Sequence, residues 1–179
     1  MGIENELEDR LWNKNVFDEY DDKGKCKDHV LEQYKLYVEM ADRISARRQT
    51  ANSFFLSVNT AIIALIGYIN FGSETKASFY WLVSLAGMIL CFIWYRLVRS
   101  YKDLNSAKFK VIHEIEQKLP CAPYDLEWEK AGRGEDPKLY LPFTHIEIFV
   151  PWVFFVIHVF VLIRCIPINL IIKQFECLL

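Results

Sequence analysis

Few side chains in this sequence are placed to do chemistry, and most of them lie inside apolar blocks. His158 sits in the run FVPWVFFVIHVFVLIRC (149–165), six residues before Arg164. An ionisable group in such a run is a functional candidate. A proton relay would want a carboxylate partner, and the nearest, Glu147, is about three helical turns away. A neutral imidazole bonding a neighbouring helix is the plainer use. In ANSFFLSVNTAIIALIGYINF (51–71), Asn52, Ser53, Ser57, Asn59, Thr60 and Gly67 recur at steps of seven, with Ala64 between them. They read as one small and polar stripe with two open uses. One is a tight seam, in which small residues let helices approach and amides bond across the contact. The other is a water-lined pore face constricted at Asn59.

Catalysis and metal binding find little support. His113 and Glu116 share a helix face but lack a second pair of ligands. Asp125, Glu127 and Glu129 alternate in a turn-rich segment and read as solvated. There is no G-x-S-x-G elbow, P-loop, H-E-x-x-H or glycine-rich dinucleotide turn. The five cysteines (Cys26, Cys91, Cys121, Cys165, Cys177) are scattered without C-x-x-C spacing, as free thiols would be. No catalytic residue, cofactor or metal is expected.

The elements that must carry these residues follow from composition. The 179 residues are 53 % hydrophobic, 15 % aromatic and 25 % charged, which excludes a disordered chain. A net charge of −2 leaves no basic footprint for nucleic acid. The apolar residues gather in three blocks, as in a membrane protein. Span one covers 51–71, about 21 residues without a charge and long enough for a ~30 Å hydrocarbon core. Span two covers 77–98, with Arg96 near its end. Gly72–Lys76 leaves room only for a tight hairpin, so the two spans are antiparallel neighbours. Span three covers 144–172. Thr144 and Glu147 have the form of a capping box, Pro151 should bend the helix or mark its start, and Pro167 should disturb the far end. A re-entrant helix is the alternative course for this segment. A tail of 173–179 follows.

Residues 1–27 are acidic, with no apolar h-region, so span one would serve as an internal anchor. Glu6 stands where a myristoylation signal needs Ser or Thr. Lys35, Arg43, Arg47 and Arg48 precede span one; Arg96, Arg99, Lys102, Lys108 and Lys110 follow span two; the hairpin tip has Lys76 alone. That asymmetry places the amino terminus and both open ends of the hairpin in the cytosol. Tyr68, Phe79, Tyr80 and Trp81 would anchor the tip side, Trp94 and Tyr95 the cytosolic side.

Upstream of span one, Val30, Tyr34, Tyr37, Ala41 and Ile44 recur at alternating spacings of four and three. The phase continues through Ala51, Phe55, Val58, Ile62, Leu65 and Ile69. A cytoplasmic helix over 28–50 should therefore run unbroken into span one, with coiled-coil spacing. Arg47 and Arg48 lie at the join, and Glu39 and Arg43 make a favourable pair. Beyond span two, Leu97, Tyr101, Leu104, Val111, Ile115 and Leu119 mark a second amphipathic helix over 99–119. Its wet face would carry Lys102, Asn105, His113, Glu116 and Gln117. Residues 120–143, including Pro142, read as an ordered loop pinned by Tyr124, Trp128 and Tyr140. Two amphipathic helices cannot close a core alone, so further copies of the chain are the expected partners.

Leu31–Thr60 (LEQYKLYVEMADRISARRQTANSFFLSVNT) and Tyr140–Phe155 (YLPFTHIEIFVPWVFF) resemble the RipA-type small octameric membrane proteins of bacteria. That family is similar in layout to SLATT-type membrane modules. The likeness covers about residues 28–165. It implies a homo-oligomer of eight copies in the bacterial cytoplasmic membrane and assigns no enzymatic role.

The expectation is an all-α integral membrane protein with three transmembrane helices, the first two extended into the cytosol, assembled as a homo-oligomeric ring. It would act as a non-enzymatic scaffold or regulator that contacts membrane lipid and an unidentified cytosolic partner. A pore-forming effector is the rival reading, and a lipid-handling protein a third.

Overall fold

The computed structural model of the 179-residue chain describes residues 11–13, 19–72, 80–135, 140 and 143–165. Four α-helices are delimited among the described residues: α1 (Lys23–Gly72), α2 (Tyr80–Glu116), α3 (Pro123–Lys130) and α4 (Phe143–Cys165). No strand occurs among the described residues. α1, α2 and α4 each contain a stretch long and apolar enough to cross a membrane. The fold is all-α with three candidate spans. The hairpin residues 73–76, Phe79, Pro142, the side chain of Thr144 and everything from residue 166 on lie outside what is described.

α1 is one helix of 50 residues, about 75 Å long at 1.5 Å per residue. It begins earlier than expected because Asp22 caps it, its Oδ1 accepting the Gly24 amide at 2.8 Å. Its burial departs from the expected 4–3 phase. Ala41 and Phe55 are buried as that phase expects, but further along the helix the buried positions are Asn59 and Ile66, outside it, whereas Leu65 is 57 % exposed. A straight helix drifts ~20° per heptad from a 3.5-residue repeat, so five heptads beyond Val30 the strict phase points ~100° off. Burial obeys the 3.6-residue period, and coiled-coil geometry is not shown.

The chain divides into two compact units. The first comprises residues 1–46 and 103–141, the second 47–102 and 142–179.

In the first unit the stripe expected on α2 is shifted by about one residue. Lys108, Ile112, Ile115 and Glu116 are buried, while Leu104 is 49 % exposed. Glu116 therefore leaves the wet face assigned to it. The segment 120–143 is not merely a loop, because it contains α3. Pro123 opens that helix, where a missing N–H costs nothing. Tyr124 packs its ring on Phe109 (5.7 Å), and Trp128 packs on Tyr140 (6.4 Å). A turn at Gly132–Gly134 follows, in which Gly132, Arg133 and Gly134 all have positive φ (68°, 52°, 74°). Glycines on both sides make this left-handed turn affordable. The Glu39–Arg43 pair forms at 2.7 Å, but both side chains are well exposed and it adds little.

In the second unit the helices run up, down and up. α1 meets α2 at Phe55–Trp94, with rings stacked 5.9 Å apart, and α4 packs on the same indole through Phe154 (6.1 Å). Phe55, Trp94 and Val98 form the core of this unit. Trp94, expected as an interfacial anchor, is instead 2 % exposed at the centre of the bundle. Tyr80 is also buried, and Tyr68 and Trp81 remain exposed. α4 begins at Phe143, so Thr144 falls inside the first turn rather than capping it, and the helix continues through the buried Pro151.

Candidate functional site

Two polar clusters tie the helices of the second unit together. In the first, Trp94 Nε1 donates to Asn52 Oδ1 (2.8 Å), and Asn52 Nδ2 donates to Glu147 Oε1 (3.0 Å). Arg48 Nε pairs with Glu147 Oε2 at 3.5 Å, with both side chains largely buried. Indole, amide, carboxylate and guanidinium thus join α1, α2 and α4. Glu147 reaches across to α1 instead of back to the start of its own helix, where a capping box would use it.

The second cluster centres on Asn59, which is fully buried. Its Nδ2 donates to the Phe55 carbonyl at 2.8 Å, leaving Oδ1 as an acceptor. Two donors converge there: His158 Nε2–H at 3.1 Å and the Cys91 thiol at 3.3 Å. His158 is therefore the Nε2–H tautomer, and its buried Nδ1 has no partner among the described residues, nor does the buried Ser84 hydroxyl. Cysteine, histidine and asparagine are the residue types of a thiol-hydrolase triad. The arrangement is not one, because the thiol bonds the amide and not the imidazole, and all three groups are buried. The cluster is a polar lock between helices. The ring of His158 lies directly on Gly87 of α2, where a Cβ would stand 2.6 Å from Nδ1 and closer still to Cε1 and Nε2.

The six residues expected on one stripe of span one separate into two faces. Asn52 and Asn59 point into the bundle, whereas Ser53, Ser57 and Thr60 are exposed, as is Ala64; Gly67 is half-buried with open space where a Cβ would be. At ~100° per residue, Ser53, Ser57, Thr60, Ala64 and Gly67 cluster about 100° around the helix from the asparagine pair. Repeats of seven kept each set in phase and hid the offset between them. Asn59, proposed above as a pore constriction, is spent within its own protomer.

In the first unit, Tyr34, Tyr37, Ala41 and Ile44 lie on the less exposed side of α1, and Arg47, at the start of the second unit, is exposed. Tyr37 holds the ammonium of the buried Lys108 over its ring, 4.3 Å from the centroid. Tyr34 donates its hydroxyl hydrogen to Glu116 Oε1 at 2.7 Å. The same carboxylate accepts the amides of Tyr124 (3.1 Å) and Asp125 (3.0 Å), the orphan donors at the start of α3. Ala122 stands at the N-cap and offers no side-chain cap, so Glu116 supplies one from another helix. Sequence reasoning missed Glu116 and Lys108. The available signal was Ile112, four residues from each, on the inward face.

Burial, and then the hydrogen bond to Glu116, raise the Tyr34 phenol well above its ordinary pKa of 10.0. The unfolded chain loses this proton near pH 10, while the folded chain keeps it. The contribution to stability is thus complete below pH 10 and lost as pH rises further, towards the folded value. Melting of the purified protein should be insensitive to this group up to pH 10 and fall above it; Tyr34→Phe should flatten that alkaline fall.

Neither unit groups three or more metal-ligating side chains among the described residues. His113 Nδ1 lies 3.8 Å from Asp125 Oδ1, a loose ion-pair distance. What the site offers is a locked three-helix bundle that leaves the small face of α1 uncovered. Compared with known protein families, residues 31–167 match the Octameric membrane protein family (8xMP). The chain belongs to this family. As a member of the octameric family it is a membrane protein that self-associates as a homo-oligomer. No curated protein and no solved structure matches the chain significantly.

Proposed function

We propose that this member of the octameric family is a non-enzymatic scaffold or regulator of the cytoplasmic membrane, closed into a ring through the exposed small face of α1. The single observation that carries this reading is the division of α1 in the second unit. Its amides and Phe55 are consumed within the protomer, while Ser53, Ser57, Thr60 and Ala64 face outward. Small residues allow backbones to approach closely in lipid, where no hydrophobic force drives helices together. A cyclic assembly is heterologous, so this face meets a different surface on its neighbour. The cations that flank the open ends of the hairpin support a cytoplasmic amino terminus. The first unit, with Tyr34, Tyr37 and Glu116 fixing α3 to the long helices, would present the surface for a cytosolic partner.

Ser57→Phe tests the seam. The variant should keep its helical content and lose the octamer, read as mass in native mass spectrometry. Val156→Phe, on an exposed face of α4, should leave the copy number unchanged. An intact octamer in Ser57→Phe would overturn the seam.

A further inference from the structure

Asn59 Oδ1 gathers two groups that can ligate a metal as well as donate hydrogen bonds. Cys91 Sγ stands 3.3 Å from it and His158 Nε2 3.1 Å. Those spacings are close to the ~3.3–3.7 Å that separates neighbouring ligands around an ion whose bonds are about 2.0–2.3 Å long. α1 supplies the amide, α2 the thiol and α4 the imidazole, all within one protomer and all buried. Two further atoms belong to the same seam. His158 Nδ1 is buried without a partner among the described residues. So is the hydroxyl of Ser84, three residues before the glycine on which the ring lies. The hydrogen bonds of the lock give neither atom a role, and orphaned buried polar atoms are rare enough to call for one.

We propose that Cys91, His158 and Asn59 form an intramembrane site for a soft monovalent cation of the copper(I) class. Ligand type selects the ion. Thiolate and imidazole suit copper(I), whereas magnesium and calcium need sets of carboxylate and carbonyl oxygens that these side chains do not provide. Charge selects it too. Binding breaks the Cys91 S–H bond, forms an S–Cu bond and releases the proton to solvent, so the thiolate cancels the charge of the ion. A divalent ion would leave a net positive charge inside the span, which is costly. The imidazole stays neutral but changes tautomer: Nε2 gives up its proton to bind the metal, and Nδ1 carries one instead. A metal-bound histidine ordinarily donates its other ring N–H to an outer partner. The Ser84 hydroxyl, about one turn from Gly87 on the same helix, is the free acceptor of this seam. One binding event thus gives both orphaned atoms a partner. The site does not depend on the seam of α1, since every ligand comes from one protomer.

The test is the metal content of the assembly purified in detergent from cells grown with added copper, so that the ion can enter while the bundle forms. After a chelator wash, wild type should hold one copper ion per protomer by plasma mass spectrometry. X-ray absorption should show one sulfur neighbour beside lighter atoms. A chain carrying Cys26→Ser, Cys121→Ser, Cys165→Ser and Cys177→Ser should hold as much. Adding Cys91→Ala to that chain should remove the copper. The His158–Asn59 bond then still joins the helices, so helical content and copy number should be unchanged. Ser84→Ala should keep the ion but lose it to a competing chelator roughly tenfold more readily, as expected for an outer partner. A wild type no richer in copper than the Cys91→Ala chain, copper that survives in that chain, or zinc bound in its place would overturn the proposal.

Discussion

Gly87→Ala should destabilise the spanning bundle by about 3 kcal/mol, the sum of an overpacking cost of ~1–3 kcal/mol and roughly one intramembrane hydrogen bond. The added methyl would occupy the space of the His158 ring. That ring cannot rotate away cheaply, because it is fully buried and its Nε2–H is held by Asn59. Moving it strands the Asn59 carbonyl with only the Cys91 thiol. The loss should appear as a lower midpoint of thermal unfolding in detergent and as faster proteolysis. Specificity comes from the cycle with His158→Ala. The single His158→Ala variant should itself lose stability, but Gly87→Ala placed on top of it should cost little, because the methyl then enters vacated space. Strict additivity of the two substitutions would mean that the ring and the glycine do not share that space.

Glu116→Ala should have an effect of similar size in the other unit, again roughly 3 kcal/mol or more, since hydrogen bonds to a charged group contribute ~1.5–3 kcal/mol each. Three donors lose one acceptor: the Tyr34 hydroxyl and the amides of Tyr124 and Asp125. The carboxylate also sits at the positive end of α3, which favours its charge. The expected signature is local. Amide exchange at Tyr124 and Asp125 should accelerate, and the stretch 117–123 should become cleavable, while the spanning helices stay protected. Glu116→Gln should fall between, keeping one acceptor oxygen and turning an NH2 group towards a donor. Unchanged protection of those two amides in Glu116→Ala would show that α3 is held by its ring contacts alone.

Much of the architecture was legible in the sequence because it depends on length and net composition. A charge-free run of about 21 residues, a five-residue gap and a second apolar run define a helical hairpin in lipid. The absence of glycine and proline from residue 28 to 66 let α1 be read as one helix. What was not legible depends on rotational phase. Asn52 and Ser53 are neighbours in sequence yet lie about 100° apart, so a stripe built from steps of seven merged an inward face with an outward one. Trp94 resembled a boundary anchor by position, but its indole N–H has a buried partner in Asn52, which lets it fill the core. Glu116 looked like a wet-face residue until its three donors were known, two of them from a helix whose start gives no side-chain cap of its own. Glu147 was assigned to a local cap and serves a contact with α1, a partner that local sequence does not name.

The most direct measurement is an experimental density map of the particle assembled in a lipid nanodisc. The expected map contains eight copies, with Ser53, Ser57, Thr60 and Ala64 of each α1 pressed against the adjoining subunit and Asn59 enclosed between its own α2 and α4. Isolated protomers, or an assembly in which that small face of α1 meets lipid, would contradict it.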